Sequence, residues 1–87
     1  MKILNKPIRV ISVTEQDGSI TPLKFQYTNE RKEVKTVQLS NVHGKTEEKL
    51  GGSKIFTYKC SMLKNKEEVI FELRYEVNNC RWFLYKL

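Results

Sequence analysis

Histidine and aspartate each occur once in the 87 residues, at His43 and Asp17, and cysteine occurs only at Cys60 and Cys80. Nucleophilic catalysis of the Ser-His-Asp or Cys-His kind needs a base held by a third group. A single His beside Gly44 in a polar stretch reads instead as a solvated loop residue. Zinc usually takes four clustered Cys and His ligands, whereas here the two thiols stand twenty positions apart and the histidine is far from both. Gly44-Lys45-Thr46 copies the end of a phosphate-cradling loop, but the first glycine of that pattern would stand at position 39, which is Leu39. The carboxylate pairs Glu47-Glu48 and Glu67-Glu68 fall in polar stretches without apolar neighbours to raise a pKa, so they read as solvated turns. The sequence therefore predicts no catalytic residue, no metal ligand, no cofactor and no small-molecule substrate; the expected class is non-enzymatic.

Long apolar runs are also missing. A membrane-spanning helix needs roughly 20 consecutive apolar residues, and nothing in the chain approaches that. The opening MKILNKPIRV follows one apolar pair with Asn5, Lys6 and Pro7, so it lacks the apolar centre of a secretory signal. The expected location is the cytoplasm, with Cys60 and Cys80 as buried reduced thiols rather than a disulfide.

What is present is a basic, aromatic-rich chain. Sixteen Lys and Arg against ten Asp and Glu leave a net charge of +6, which permits attraction to nucleic acid, an anionic membrane or an acidic protein as well as simple solubility. Four Phe, four Tyr and one Trp argue against disorder. The length suits one small domain burying roughly 60 to 65% of the surface its unfolded chain exposes.

The clearest stretch is EVIFELRYEVNNCRWFLYKL, residues 68–87, with five of those aromatics. With Asn78-Asn79 as a two-residue type I′ turn, it folds into a β-hairpin pairing Glu76 with Arg81, Tyr75 with Trp82, Arg74 with Phe83, Leu73 with Leu84 and Glu72 with Tyr85. Side chains alternate between faces. One face then carries Phe71, Leu73, Tyr75, Val77, Cys80, Trp82 and Leu84 as core; the other carries Ile70, Glu72, Arg74, Glu76, Arg81, Phe83, Tyr85 and Leu87.

Upstream, residues 1–6 read as a loose lead-in and Ile8–Glu15 as a strand whose apolar phase changes between Val10 and Ile11, the mark of a bulge or bend. Asp17-Gly18 signals a hairpin, followed by a strand with Leu23, Phe25 and Tyr27 on one face and a bulge or edge near Pro22. Residues 33–42 read as a third strand with a bulge near Thr36, and 43–53 as a break with at most one short helical turn over 46–50, capped by Thr46 and ended by Gly51-Gly52. KIFTYKCSML is a strand with Phe56, Tyr58, Cys60 and Met62 on one side, and KNKE a charged turn. The fold class expected is all-β: six antiparallel strands in a strongly curled sheet or small barrel, because so few strands must coil to cover an apolar face.

Phe83 and Tyr85 on the second hairpin face are more than a solvated face needs. With Arg74, Arg81, Lys59 and Lys24 they form the candidate interaction surface. Aromatic and Arg residues are favoured interface anchors, so a protein partner or a homodimer through the hairpin is expected. The alternative is single-stranded nucleic acid stacked on the aromatics with the cations along its phosphates; a membrane is not expected as a partner. The motifs Pro7-Ile8-x-Val10, Thr21-Pro22-Leu23-x-Phe25-x-Tyr27 and Phe71-Glu72-Leu73-x-Tyr75-Glu76 with Trp82-x-Leu84-x-Lys86 resemble a group of short bacterial proteins of unassigned function. That resemblance implies a cytoplasmic, stand-alone bacterial β domain and brings no site residue.

Overall fold

Tight turns set the architecture. In the computed structural model, which describes Met1–Leu87, Gly51-Gly52 and Asn65-Lys66 both take positive φ at each position, the geometry of two-residue type I′ hairpins that match strand twist. They join β4 (Asn41–Leu50) to β5 (Ser53–Lys64) and β5 to β6 (Glu67–Glu76). The remaining strands are β1 (Ile3–Thr14), β2 (Ile20–Thr28), β3 (Val34–Gln38) and β7 (Arg81–Lys86), and every neighbouring pair is antiparallel in the order β3-β2-β1-β7-β6-β5-β4. The expected all-β, antiparallel, curled architecture is what the chain adopts, with seven strands in place of six.

The sheet closes on itself at one corner. β3 and β4 stand at opposite ends of the strand order, yet only Leu39 and Ser40 separate them in the chain. Leu39 donates its N–H to the Leu23 carbonyl next to β3 (3.1 Å), and Ser40 donates to the Ser61 carbonyl on β5 (2.8 Å). Consecutive residues can bond to opposite ends of one sheet only if those ends have been brought together by curling. β1 forms the other corner: Ile3 to Ile8 pair with β7 and Arg9 to Thr14 with β2, as corner strands do when they pass from one layer to another.

Inside the half-barrel, the β1-β2-β3 layer lies over the β5-β6-β7 layer. Phe25 of β2 meets Phe71 of β6 with ring centroids 5.6 Å apart. The buried cluster is Phe25, Tyr58, Cys60, Phe71, Leu73, Trp82 and Leu84, with Ile8, Val10, Phe56 and Tyr75 packed against it.

Several expectations need correction. Residues 1–6 are not a loose lead-in, since β1 begins at Ile3 and Lys2 exchanges both backbone hydrogen bonds with Leu87 (2.8 and 3.0 Å). The third strand stops at Gln38, and 41–50, expected as a break with at most a helical turn, is the strand β4, fully exposed and held by β5. The chain contains no helix, so none is available to cross a membrane. Around Pro22 the register shifts so that Ser12 pairs with Pro22 and Ile11 with Lys24. Leu23 is the extra residue of the bulge and turns outward, while Pro22 is buried in its stead.

The C-terminal hairpin keeps its expected register from Glu76–Arg81 to Leu73–Leu84, but its turn differs. Neither asparagine takes positive φ; Cys80 does, at 54°, so Val77 to Cys80, between the paired Glu76 and Arg81, form a four-residue loop that ends in a left-handed position. That displaces Cys80 from the core face to the surface, leaving Cys60 as the buried thiol, and the two are unpaired. A second departure follows Leu84, where Glu72 pairs with Lys86 and Tyr85 becomes a bulged residue.

Candidate interaction face

Because Trp82 and Leu84 turn inward, Phe83 must turn outward, and the bulge at Tyr85 sends both Tyr85 and Lys86 to that same side. Two cross-strand rows result. Thr57, Arg74, Phe83 and Pro7 stand opposite one another across β5, β6, β7 and β1, and Lys59, Glu72 and Lys86 across β5, β6 and β7. The second row places the Glu72 carboxylate between two lysines, an arrangement the unbulged register would not have made.

Arg74 ties the face together. Its guanidinium lies 3.6 Å from the Tyr85 ring centroid, its Nε donates to Thr57 Oγ1 at 3.2 Å, and Nη2 donates to Glu48 Oε1 of β4 at 3.1 Å. One planar side chain therefore links four strands, using both its stacking face and its forked donors. Arg81 is less constrained: it is exposed, opposite Glu76 in register, with its guanidinium 5.3 Å from the Phe83 ring. Glu76 is partly engaged by the side-chain amide of Asn79.

Between these groups lies a shallow hollow of about 250 Å³, lined by Leu50, Ile55 and Phe83 with Arg74 and Glu76 at its polar side. Ile55 is buried there although it faces away from the main core, and Leu50 at the rim is 49% exposed. Of the six residues singled out from sequence, Arg74, Arg81, Phe83, Tyr85 and Lys59 share this face. Lys24 does not: it sits on β2 in the other layer, beside Arg9 and Gln26. Glu48 and Leu50 were missed because 43–53 read as a break between strands, and Ile55, though it falls on the strand KIFTYKCSML, was not grouped with the hairpin face. Gly51-Gly52, a recognised two-residue hairpin pair, was the signal that could have recovered them.

A second cluster brings together the one histidine and a serine. His43 Nε2 lies 2.9 Å from Ser61 Oγ and 3.3 Å from Glu68 Oε1, and Ser61 Oγ is also 3.0 Å from Ser40 Oγ. Ser, His and Glu are the residue types of a triad, but the geometry opposes one. A catalytic histidine uses one ring nitrogen for the hydroxyl and the other for the carboxylate, whereas here both partners meet Nε2, and Ser61 is completely buried. The cluster works as a clasp over the β3–β4 corner.

Elsewhere the titration chemistry is that of a core. Burial pushes the Cys60 thiol up to about 12, with a smaller push from Glu72, and burial likewise raises the Tyr58 phenol to about 12. A thiol so disfavoured as thiolate is a poor nucleophile. No group of three or more His, Cys, Asp or Glu stands close enough to hold a metal ion. Compared with protein-family models, with curated proteins and with solved structures, the chain matches none of them.

Proposed function

We propose that this chain is a non-enzymatic protein-interaction module that works in the cytoplasm and docks a partner protein on the outer face of β5, β6 and β7. The hollow lined by Ile55, Phe83 and Leu50 carries the reading. The sheet already has its core on the concave side, so a second apolar group on the convex side is surplus to folding and suits a contact surface. Arg81 and Phe83 supply the anchor types that concentrate binding energy. The partner that fits offers an apolar side chain to the hollow and a carboxylate to Arg81. The cytoplasmic setting is supported by the unpaired Cys60 and Cys80, a thiol pattern suited to a reducing compartment.

Single-stranded nucleic acid is the competing occupant. Glu72 and Glu76 share the face and oppose a phosphate backbone within a screening length of about 8 to 10 Å. The test replaces Phe83 with a photo-crosslinking benzophenone amino acid in cells of the native host. The expected result is a discrete protein adduct, lost with Arg81→Glu and absent when the crosslinker stands at Thr36 in the other layer. An adduct at twice the chain mass identifies the partner as a second copy seated on this face. Identical adducts from positions 83 and 36, or oligonucleotide binding that weakens steeply with salt, overturn the proposal.

A further inference from the structure

Among the stretches of strand edge that the curled sheet leaves unpaired are its two terminal strands, which are guarded, and a third within the strand order. β4 carries Lys45, Glu47, Glu48 and Lys49, and β3 is five residues long with Lys35 at its centre region; charge and shortness both deter strand addition. The third is the second half of β1. Its pairing with β7 ends at Ile8, so beyond that point only β2 lies beside it. From Val10 the sequence runs Val-Ile-Ser-Val-Thr, uncharged and, Ser12 apart, β-branched, with Ile11 50% and Val13 37% exposed.

The phase of the free hydrogen-bonding groups follows from the ladder. Glu15 donates its N–H to the Ser19 carbonyl of the facing chain at 2.8 Å. Antiparallel bonds alternate along a strand, so Val13 also turns its polar groups toward β2, while Ser12 and Thr14 turn theirs to the open edge. Pro22, which has no N–H to give, is the residue opposite Ser12, as this phase requires.

A second copy of the same strand laid antiparallel, Ser12 against Ser12, meets those groups in phase. The register sets Ile11 opposite Val13, Val10 opposite Thr14 and Arg9 opposite Glu15, so the segment is self-complementary in shape, hydrogen bonding and charge. We infer that the protein forms a two-fold homodimer by antiparallel pairing of β1 with β1, producing a continuous sheet β3-β2-β1-β1-β2-β3. A single shared strand edge is small as interfaces go, so the dimer is reversible. The surface belongs to the layer opposite Phe83 and leaves the proposed docking face free.

The test is sedimentation equilibrium of the full chain across a wide concentration range. The mass should rise from 10.3 kDa toward twice that value. Arg9→Glu and Glu15→Arg each turn two symmetry-related attractions into repulsions and should weaken the dimer about tenfold, and combining them restores opposite charges and the wild-type association. Ile11→Lys with Val13→Lys puts lysine against lysine and should leave only monomer; both positions are exposed, and an unchanged circular dichroism spectrum shows that the fold survives. A wild-type chain that stays monomeric throughout, or a dimer indifferent to the swaps and lost instead with Phe83→Ala, overturns the inference.

Discussion

Tyr58 of β5 donates its phenol hydrogen to the backbone carbonyl of Ile20 at the start of β2, 2.7 Å away across the interior. The bond joins the two layers of the half-barrel at a point where the strand order separates them by three intervening strands. Tyr58→Phe keeps the ring against Trp82, with centroids 5.4 Å apart, and removes only this bond. The expected cost is about 1 to 2 kcal/mol, because the Ile20 carbonyl is left without its partner. Urea unfolding of the two proteins measures it, and coincident midpoints would show that the layers are joined by apolar packing alone.

The same burial makes the fold sensitive to alkali. In the native state Tyr58 is raised from 10.0 to about 12 and Cys60 from 9.0 to about 12. The native chain therefore holds two protons that the unfolded chain releases above pH 9 and 10. Stability should be level below pH 9 and fall as pH rises from there toward 12, by up to about 1.4 kcal/mol per pH unit for each group that is titrating only in the unfolded state. Denaturant titrations at a series of pH values test this, and Cys60→Ala should flatten the first part of the decline. Stability that increases through this range would contradict the burial of both groups.

Trp82 packs against Tyr75 with centroids 4.8 Å apart as well as against Tyr58. Trp82→Ala should destabilise the protein by about 3 to 5 kcal/mol, since a truncated core aromatic loses its transfer energy and leaves a cavity that close-packed strands cannot fill. Thermal melting followed by circular dichroism is the measurement. A melting curve unchanged by the substitution would remove Trp82 from the core.

How legible each part was depends on whether its residues enter the core. Tyr75 and Trp82 face each other as the alternation of apolar residues requires, because a one-residue slip would bury Arg74 and Glu76. β4 left no such trace. All ten of its residues are exposed, and what makes it a strand is the ladder to β5, a long-range pairing that no local apolar period records. The bulges at Leu23 and Tyr85 follow from the need to bend and close the sheet, so a strictly alternating reading put Leu23 inward and set Tyr85 opposite Glu72, where Lys86 stands. The candidate face was legible where it lies on the hairpin and illegible where β4 completes it. Lys24, grouped with it for its charge, sits on another layer.

Arg74 should be the main support for the free end of β4. Its pairing with Glu48 and its stacking on Tyr85 are partly solvent-exposed, so Arg74→Ala is expected to cost only about 0.5 to 1 kcal/mol globally, less at high salt. The local effect should be larger. Amide exchange between Thr46 and Leu50 should accelerate while that of Phe71 and Leu73 stays slow, since the edge strand can open without the core. Equal acceleration at both would mean that Arg74 supports the whole fold.

Cys80 holds a conformation that its side chain resists. At φ 54° it occupies the left-handed region, which costs a residue with a Cβ roughly 1 kcal/mol and glycine almost nothing. Cys80 donates its N–H back to the Val77 carbonyl at 3.4 Å, and because neither asparagine takes positive φ, the left-handed step that turns the chain back into β7 falls to Cys80. Its side chain is exposed, with a long contact to the Val77 carbonyl, 3.7 Å from the sulfur, and another to the Tyr75 phenol, so only surface contacts are lost on removing it. Cys80→Gly should therefore stabilise the protein by about 0.5 to 1 kcal/mol, after allowing for the greater freedom of glycine in the unfolded chain. Gly51 and Gly52 already supply the positive φ of the β4–β5 turn. Chemical denaturation under reducing conditions gives the sign directly, and a destabilised Cys80→Gly would place the turn in the two-asparagine geometry instead.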